Sequence, residues 1–339
     1  MKIGFACKIM NNDGTKEWIE NHNLKSTTVS SMNRLNRIEQ EKKLNFLLNH
    51  NMKAFGSMLN YVSQMPEGLR MMRIGSDLLP LYTHLEFMWF YDLPSTKKII
   101  ESKLGECGKF ARDCGIRLSF HPGQFCILNS TKSEVVDKTI VELEYHTYCT
   151  EMMGYDGSKF HDHNFAINIH VGGKDGGTES FLANSKRLSQ SCRNFLTVEN
   201  DEFSFGVDDV LRVADQFPIV LDIHHNLINS GKYIEPDDKR LNEIFGSWRG
   251  QRPKIHFSTS VESISEFSGH DSRPVFDDLL TNGYKKAMLR KHSAMCWNDA
   301  LNSWALSFLP MADIMVEAKN KNLASQQLFE SINNGNTIK

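Results

Sequence analysis

The sequence predicts an α/β fold: a single closed (β/α)8 barrel of the TIM type over residues 1–332, with a short flexible tail at 333–339. Three observations predict it. Short, nearly uninterrupted apolar runs alternate with longer amphipathic stretches, the signature of βαβ units on a parallel sheet covered on both faces. The alternation occurs eight times, which favours closure over an open doubly wound sheet. A length of 339 residues without a linker, internal repeat or low-complexity tract is one that such a barrel reaches as a single unit.

The elements follow in order. KIGFACK (2–8) opens as a strand, and a helix is expected over 31–50. RMMRIG (70–75) leads to a helix over 95–114, and IRLSF (116–120) to one over 132–153. FAINIH (165–170) precedes a helix over 178–193, FLTVE (195–199) one over 207–216, and PIVLDI (218–223) one over 238–246. PKIHF (253–257) leads to 272–281, and DIMVE (313–317) to 319–332. The stretch from Gly283 to Pro310, with Lys285, Lys286, Arg290, Lys291 and His292 ahead of Trp297 and Trp304, reads as an elaboration before the last strand. A solvated helical face is favoured there over a DNA-contacting surface.

Composition narrows the class. A hydrophobic fraction of 40% and a charged fraction of 24% describe an ordinary globular chain with material for a core. The formal net charge of −2 does not advertise nucleic acid, but a site holding cations would need carboxylates, and local basic charge decides DNA contact. Seven cysteines, without paired CxxC spacing, argue for reduced, mostly buried thiols and against a disulfide framework or zinc ribbon. The N-terminus lacks a hydrophobic signal segment, and no apolar run approaches the ~18 residues a membrane span needs. The expectation is a soluble intracellular protein, cytoplasmic or nucleoid-associated, or in the host cytoplasm if viral, with no obligate protein partner.

Barrels place chemistry at the carboxyl ends of their strands. Strand 3 runs into His121, strand 4 ends on His170 and strand 5 on Glu199. Strand 6 carries Asp222 with His225 just beyond, strand 7 contains Lys254 and His256, and strand 8 ends on Glu317. His270 follows strand 7, and His84, after strand 2, is a candidate for substrate or metal contact. Singly, a strand-end histidine is more often structural and a strand-end acid more often a helix cap. Together, six consecutive strands deliver imidazole or carboxylate to one rim, and such a set is costly to bury unless cations neutralise it. The mixed donors suit zinc or manganese and exceed what one ion can use. Such a site supports phosphoester hydrolysis, with Glu199 able to bridge two ions. His161 and His163 precede strand 4 and belong at the opposite rim. His224 should point away from His225, and His22, His50 and His146 fall in loop or helix.

RLSFHPGQF (117–125), NIHVGG (168–173), VENDE (198–202), LDIHHN (221–226), SWRGQRPKIHFS (247–258) and DIMVEAKNK (313–321) resemble the successive motifs of UV-damage endonucleases, with weaker matches at IGFACK (3–8) and RIGSDLLPLYTH (73–84). The resemblance implies a barrel nuclease related in architecture to endonuclease IV, acting on damaged double-stranded DNA with three divalent metals, manganese first and zinc or magnesium as alternatives. It implies incision immediately 5′ to cyclobutane dimers and 6-4 photoproducts, and at abasic sites. Carried over by motif, His121, His170, Glu199, Asp222, His225, His256, His270 and Glu317 are metal ligands. In one division His121, His170 and Glu199 hold the first ion; Glu199, Asp222, His256 and Glu317 the second; His225 and His270 the third. Lys254 matches a lysine that can carry a carboxylate modification, and with Glu199 and Glu317 is assigned to catalysis. Gln124 and Phe125 match the pair that probes the damaged duplex; Phe5, His84 and Arg249 join them as lesion-contact candidates.

Two departures stand out: Phe5 and Phe125 occupy positions where the family has tyrosine, sparing stacking but not a phenol hydroxyl. Three other readings remain open: an abasic-site endonuclease of the endonuclease IV type, a metal-dependent sugar isomerase on the same barrel, and a non-catalytic DNA-binding relative.

Overall fold

Eight parallel strands close on one another in chain order in the computed structural model, which describes residues 1–11 and 15–332. They are β1 Ile3–Ala6, β2 Met71–Ile74, β3 Arg117–Phe120, β4 Ala166–His170, β5 Leu196–Glu199, β6 Ile219–Asp222, β7 Lys254–Phe257 and β8 Asp313–Val316. Each falls inside the run that predicted it, and the expected α/β barrel is the observed fold. The tail expected at 333–339 lies outside the described residues. β1 seals the barrel, pairing Phe5 with Met72 on one side and Val316 on the other. Glycine is needed beside it: a Cβ on Gly4 would lie 2.5 Å from the Met71 carbonyl oxygen.

The helices depart from expectation where caps decide. The first long helix runs Arg37–Ser63, beginning later than 31 and ending beyond 50. Asn36 accepts the Glu39 N–H at 3.1 Å while the Glu39 carboxylate accepts the Asn36 N–H at 2.9 Å. That capping box fixes the start, and Leu44, Leu48, Phe55, Leu59 and Val62 bury one face of the helix. The helix expected over 178–193 is two, Gly177–Ser185 and Gln190–Phe195, the second started by Ser189 accepting the Cys192 N–H. The sequence reading missed a helix at Ile223–Ser230, directly after β6.

The stretch before β8 is part of a long excursion from β7, holding the helices Phe276–Thr281, Lys286–Leu289 and Asp299–Leu306. Its Ile264, Phe276, Leu279 and Leu289 pack with Leu227 and Ile228 of the helix Ile223–Ser230 in a separate apolar cluster. All seven cysteines are free thiols, as the spacing implied. Among the described residues, no helix is long and apolar enough to cross a membrane.

The amino-terminal end of the barrel is closed by charge. Arg117 of β3 reaches Asp313 of β8 at 2.8 Å, with both side chains buried. Asp313 also accepts the Lys2 N–H at 2.8 Å and the Arg252 Nε at 3.2 Å. The rest of the Arg117 guanidinium donates to the carbonyls of Asn164, Pro253 and Arg252. Burial alone would raise the Asp313 carboxyl, but Arg117 holds it below the usual value.

Candidate metal centre

At the carboxyl end, strand polarity brings the strand-end residues to one place. His121, His170 and Glu199 form one group whose donor atoms all lie within 4.8 Å of one another. Glu199, Asp222 and His225 form a second, and Asp222, His256 and Glu317 a third. Glu199 and Asp222 are shared, so the groups make one continuous cluster. Glu199 Oε2 is 3.3 Å from His121 Nε2 and 3.0 Å from His256 Nδ1. Its Oε1 is 3.5 Å from His225 Nδ1. Glu317 Oε1 is 3.3 Å from His256 Nδ1.

Backbone and neighbouring side chains aim these donors. Asp222 Oδ1 accepts the His225 N–H at 2.7 Å, capping the helix Ile223–Ser230 and leaving Oδ2 toward the cluster. Asn200 clamps the Asp222 main chain from both sides, at 2.8 and 2.9 Å, and its carbonyl lies 3.1 Å from His225 Nδ1. Asn168, two residues before His170 on the same face of β4, donates to Glu199 Oε2 and is itself held by the Thr197 hydroxyl at 2.9 Å. Arg73 of β2 donates to Glu317 Oε1. Sequence reasoning missed Arg73 and Asn168, which lie inside β2 and β4, where no strand-end position marks them.

Glu199 Oε1, Asp222 Oδ2 and His170 Nδ1 are buried without a hydrogen-bond partner. Buried acceptors in that state are costly. The electrostatics agree. Burial pushes Asp222 up to about 8, assisted by Glu199 and Glu317 and opposed by His225. Burial would lower His225, but Asp222, Glu199 and Glu202 raise it to about 9. Glu199 is held well below the carboxylate range because the His256 and His170 imidazoles outweigh its burial. The donor set of carboxylates and imidazoles, its shared acids and its unpartnered atoms fit divalent cations of the zinc or manganese kind.

Other predicted residues land in different places. Lys254 is 1% exposed, inside the barrel, and burial together with Arg117 and Arg73 pushes it down to about 7; an outward-pointing lysine is excluded. His270 is exposed, its Nδ1 3.0 Å from the Trp297 carbonyl, and belongs to none of the three groups. A loop residue beyond the strand is not directed by strand polarity. His84 is exposed on the loop after β2. Phe5, expected to touch DNA, is fully buried in the main apolar core of the barrel. Arg249 is also corrected: it precedes β7, so it lies at the opposite rim, donating to the carbonyls of Asp215 and Gln216 and stacking over Phe160. His161 is at that rim too, against Trp248. His224 is buried away from the cluster in the cavity beside Leu227 and Ile228, and His146 bonds Ser76.

Gln124 and Phe125 sit at the two central positions of the turn Gly123–Cys126, closed by the Cys126 N–H to the Gly123 carbonyl at 3.0 Å. Both are exposed, and the Phe125 ring is 83% so. A cleft of about 450 Å³ opens over the cluster, with Pro122 and Gln124 on its lining, His170, His225 and Glu317 at its floor, and Phe203 and Arg290 also on its lining. In the basic stretch Lys285, Lys286 and Lys291 are exposed, as a solvated face requires, whereas Arg290 borders the cleft and His292 Nδ1 is 4.0 Å from Glu317.

The family model described as UV-endonuclease UvdE matches residues 1–339. The chain is 29% identical over 319 residues to the UV DNA damage endonuclease of Bacillus cereus (strain B4264), covering 91% of this chain and 89% of that protein. It is 29% identical over 326 residues to the protein so named from Bacillus thuringiensis subsp. konkukian (strain 97-27), covering 93% and 91%. The fold is similar to the crystal structure of SacUVDE, with a TM-score of 0.73 and 24% identity over 98% of both chains. It is also similar to endonuclease IV from Thermus thermophilus, with a TM-score of 0.50 and 13% identity over 83% of this chain and 93% of that one. With strand-end donors, cleft and full-length match in agreement, the chain belongs to the UV-endonuclease UvdE family.

Proposed function

We propose that this protein is a DNA repair endonuclease that hydrolyses the phosphodiester immediately 5′ to cyclobutane dimers and 6-4 photoproducts, and also acts at abasic sites. The observation that carries the reading is the shared, partly unpartnered acid–imidazole cluster beneath an open cleft, in a chain matched end to end by a UV-endonuclease family. Its substrate is damaged double-stranded DNA, met inside the cell and without an obligate protein partner.

His121, His170 and Glu199 would hold one divalent ion; Glu199, Asp222, His256 and Glu317 a second; and His225, with Glu199 and Asp222, a third. Manganese is the proposed ion. Bound there, the ions supply a water of lowered pKa and charge stabilisation for the leaving oxygen. The protein's own part is orientation. Arg73 and Asn168 fix the carboxylates of Glu317 and Glu199, so the donor atoms are set before substrate arrives. Lys254, near Glu199 and Glu317, is neutral over part of the physiological range, the state in which its amine adds carbon dioxide to give a carbamate and a released proton. The carbamate would face cations as an anion, where an ammonium would be repelled. Gln124 and Phe125 would enter the duplex at the lesion, where weakened stacking makes opening cheap.

The test is nicking of supercoiled plasmid that has been UV-irradiated, depurinated or left untreated, with Mn2+ and with EDTA. Nicking of damaged plasmid alone, abolished by EDTA, is expected. Equal nicking of all three substrates would defeat the damage-specific reading.

A further inference from the structure

The turn after β5 presents a second aromatic ring to the cleft. Phe203 is 57% exposed, yet its backbone is tightly held. The Asp201 carboxylate accepts the N–H groups of Phe203 at 2.6 Å, of Ser204, and of Phe205 at 3.1 Å, and the Asp201 N–H returns to the Phe205 carbonyl at 2.8 Å. A large apolar side chain raised into solvent on a fixed turn forgoes the burial that would ordinarily claim it. Arg290, arriving from the β7–β8 excursion, lays its guanidinium over the ring, 4.6 Å from the centroid. The same guanidinium is 3.7 Å from Glu202, whose carboxylate is in turn 3.7 Å from His225. Ring and guanidinium are thus tied to each other and to the metal-site floor.

We propose that Phe203, braced by Arg290, is a lesion-specificity platform: it stacks on the base displaced into the cleft. The inference rests on the damaged-DNA reading above and deepens it. Phe125 stands outside the cleft lining on an exposed turn, suited to the duplex; Phe203 lines the cleft, suited to what leaves the duplex. A ring with a cation on part of its surface offers stacking to any base, and the guanidinium adds charge for the flanking phosphate. An intact base pair stays stacked in the helix and does not reach the platform, so the contact is made by damaged duplex alone.

The experiment compares binding of duplexes with and without a single thymine dimer, with Ca2+ replacing Mn2+ to keep the strand whole, for the parent protein and for Phe203→Ala, Phe203→Trp and Arg290→Lys. Phe203→Ala should lose roughly ten- to a hundredfold on the dimer duplex and change little on the undamaged one. Phe203→Trp should restore the dimer affinity, and Arg290→Lys, which keeps the charge but not the plane, should show a smaller loss in the same lesion-selective sense. Equal losses on both duplexes, or no loss in Phe203→Ala, overturn the platform while leaving the functional reading intact. A parent protein that does not distinguish the two duplexes overturns the functional reading, and the platform with it.

Discussion

The two ends of this barrel bury charge in opposite ways. At the amino-terminal end, Asp313 has both oxygens taken, by Arg117, Arg252 and the Lys2 backbone, and the Arg117 guanidinium is satisfied by carbonyls. At the carboxyl end, Glu199, Asp222 and His170 bury polar atoms that no hydrogen bond satisfies, with only the longer His225 ion pairs at 3.5 and 3.6 Å beside the two acids. The same architecture makes one end self-sufficient and leaves the other with donors that could hold cations. A charge network that is complete leaves no donor atom free for a ligand; one that is incomplete can bind.

The sharpest way to break this contrast is to remove a shared acid. Glu199→Ala and Glu317→Ala should abolish incision of UV-irradiated plasmid and lower the bound metal measured by elemental analysis. An active Glu199→Ala would mean that the cluster is structural. At the other end, Asp313→Ala strands a buried Arg117 and should cost about 3–5 kcal/mol in chemical denaturation, while the folded fraction retains its metal. Loss of metal without loss of stability would invert the comparison.

The proposed wedge residue comes next in size. Phe125→Ala should weaken binding to damaged duplex by roughly one to two orders of magnitude, with melting temperature and metal content unchanged. A large drop in melting temperature would assign Phe125 to the fold. The ends should also differ in pH response. His225 sits above its ordinary value, at about 9, so in metal-free protein its stabilisation is full below 6.5 and fades as pH rises through 9. Cations must displace that proton and the one on Asp222, so metal affinity should climb as pH rises and level off above about 8 to 9, by up to about tenfold per unit for each proton released. Asp313 is shifted the other way: its contribution is present above 3.8 and is lost as pH falls through its lower folded value. Titrations of metal affinity and of apo-protein stability would show the two responses at opposite ends of the scale. Smallest of all, Arg249→Ala and His163→Ala should leave DNA affinity and incision nearly unchanged.

How much of this was legible depended on what constrains each side chain. The strands were readable because parallel strands covered on both faces must be apolar throughout, and their direction assigned His121, His170, Glu199, Asp222, His256 and Glu317 to one rim. That rule also placed His161 and His163 at the far end; applied to Arg249, which precedes β7, it would have done the same. Residues outside the rule were not legible. His270 lies on a loop, where nothing in the local pattern sets its direction, and Phe5 was assigned by motif position without regard to its burial. Arg290 and His292 reach the site only because the β7–β8 excursion folds back over it, a long-range contact with no periodic signal.

Asp222 shows what such a site gains from the fold itself. With one oxygen bound to the first turn of a helix and its main chain clamped by Asn200, the carboxylate has lost its rotational freedom before any ion arrives. The other oxygen is therefore a rigid donor, and the entropy of ordering it was spent when the helix formed. Loading should then be limited by exchange of the ion's own hydration shell, and not by a search of side-chain rotamers. Such a carboxylate also resists adjustment. Ions whose radius or bond angles differ from those the helix dictates must deform a capped backbone, so the register of one short helix would act as a gauge for which metals the proposed site could retain.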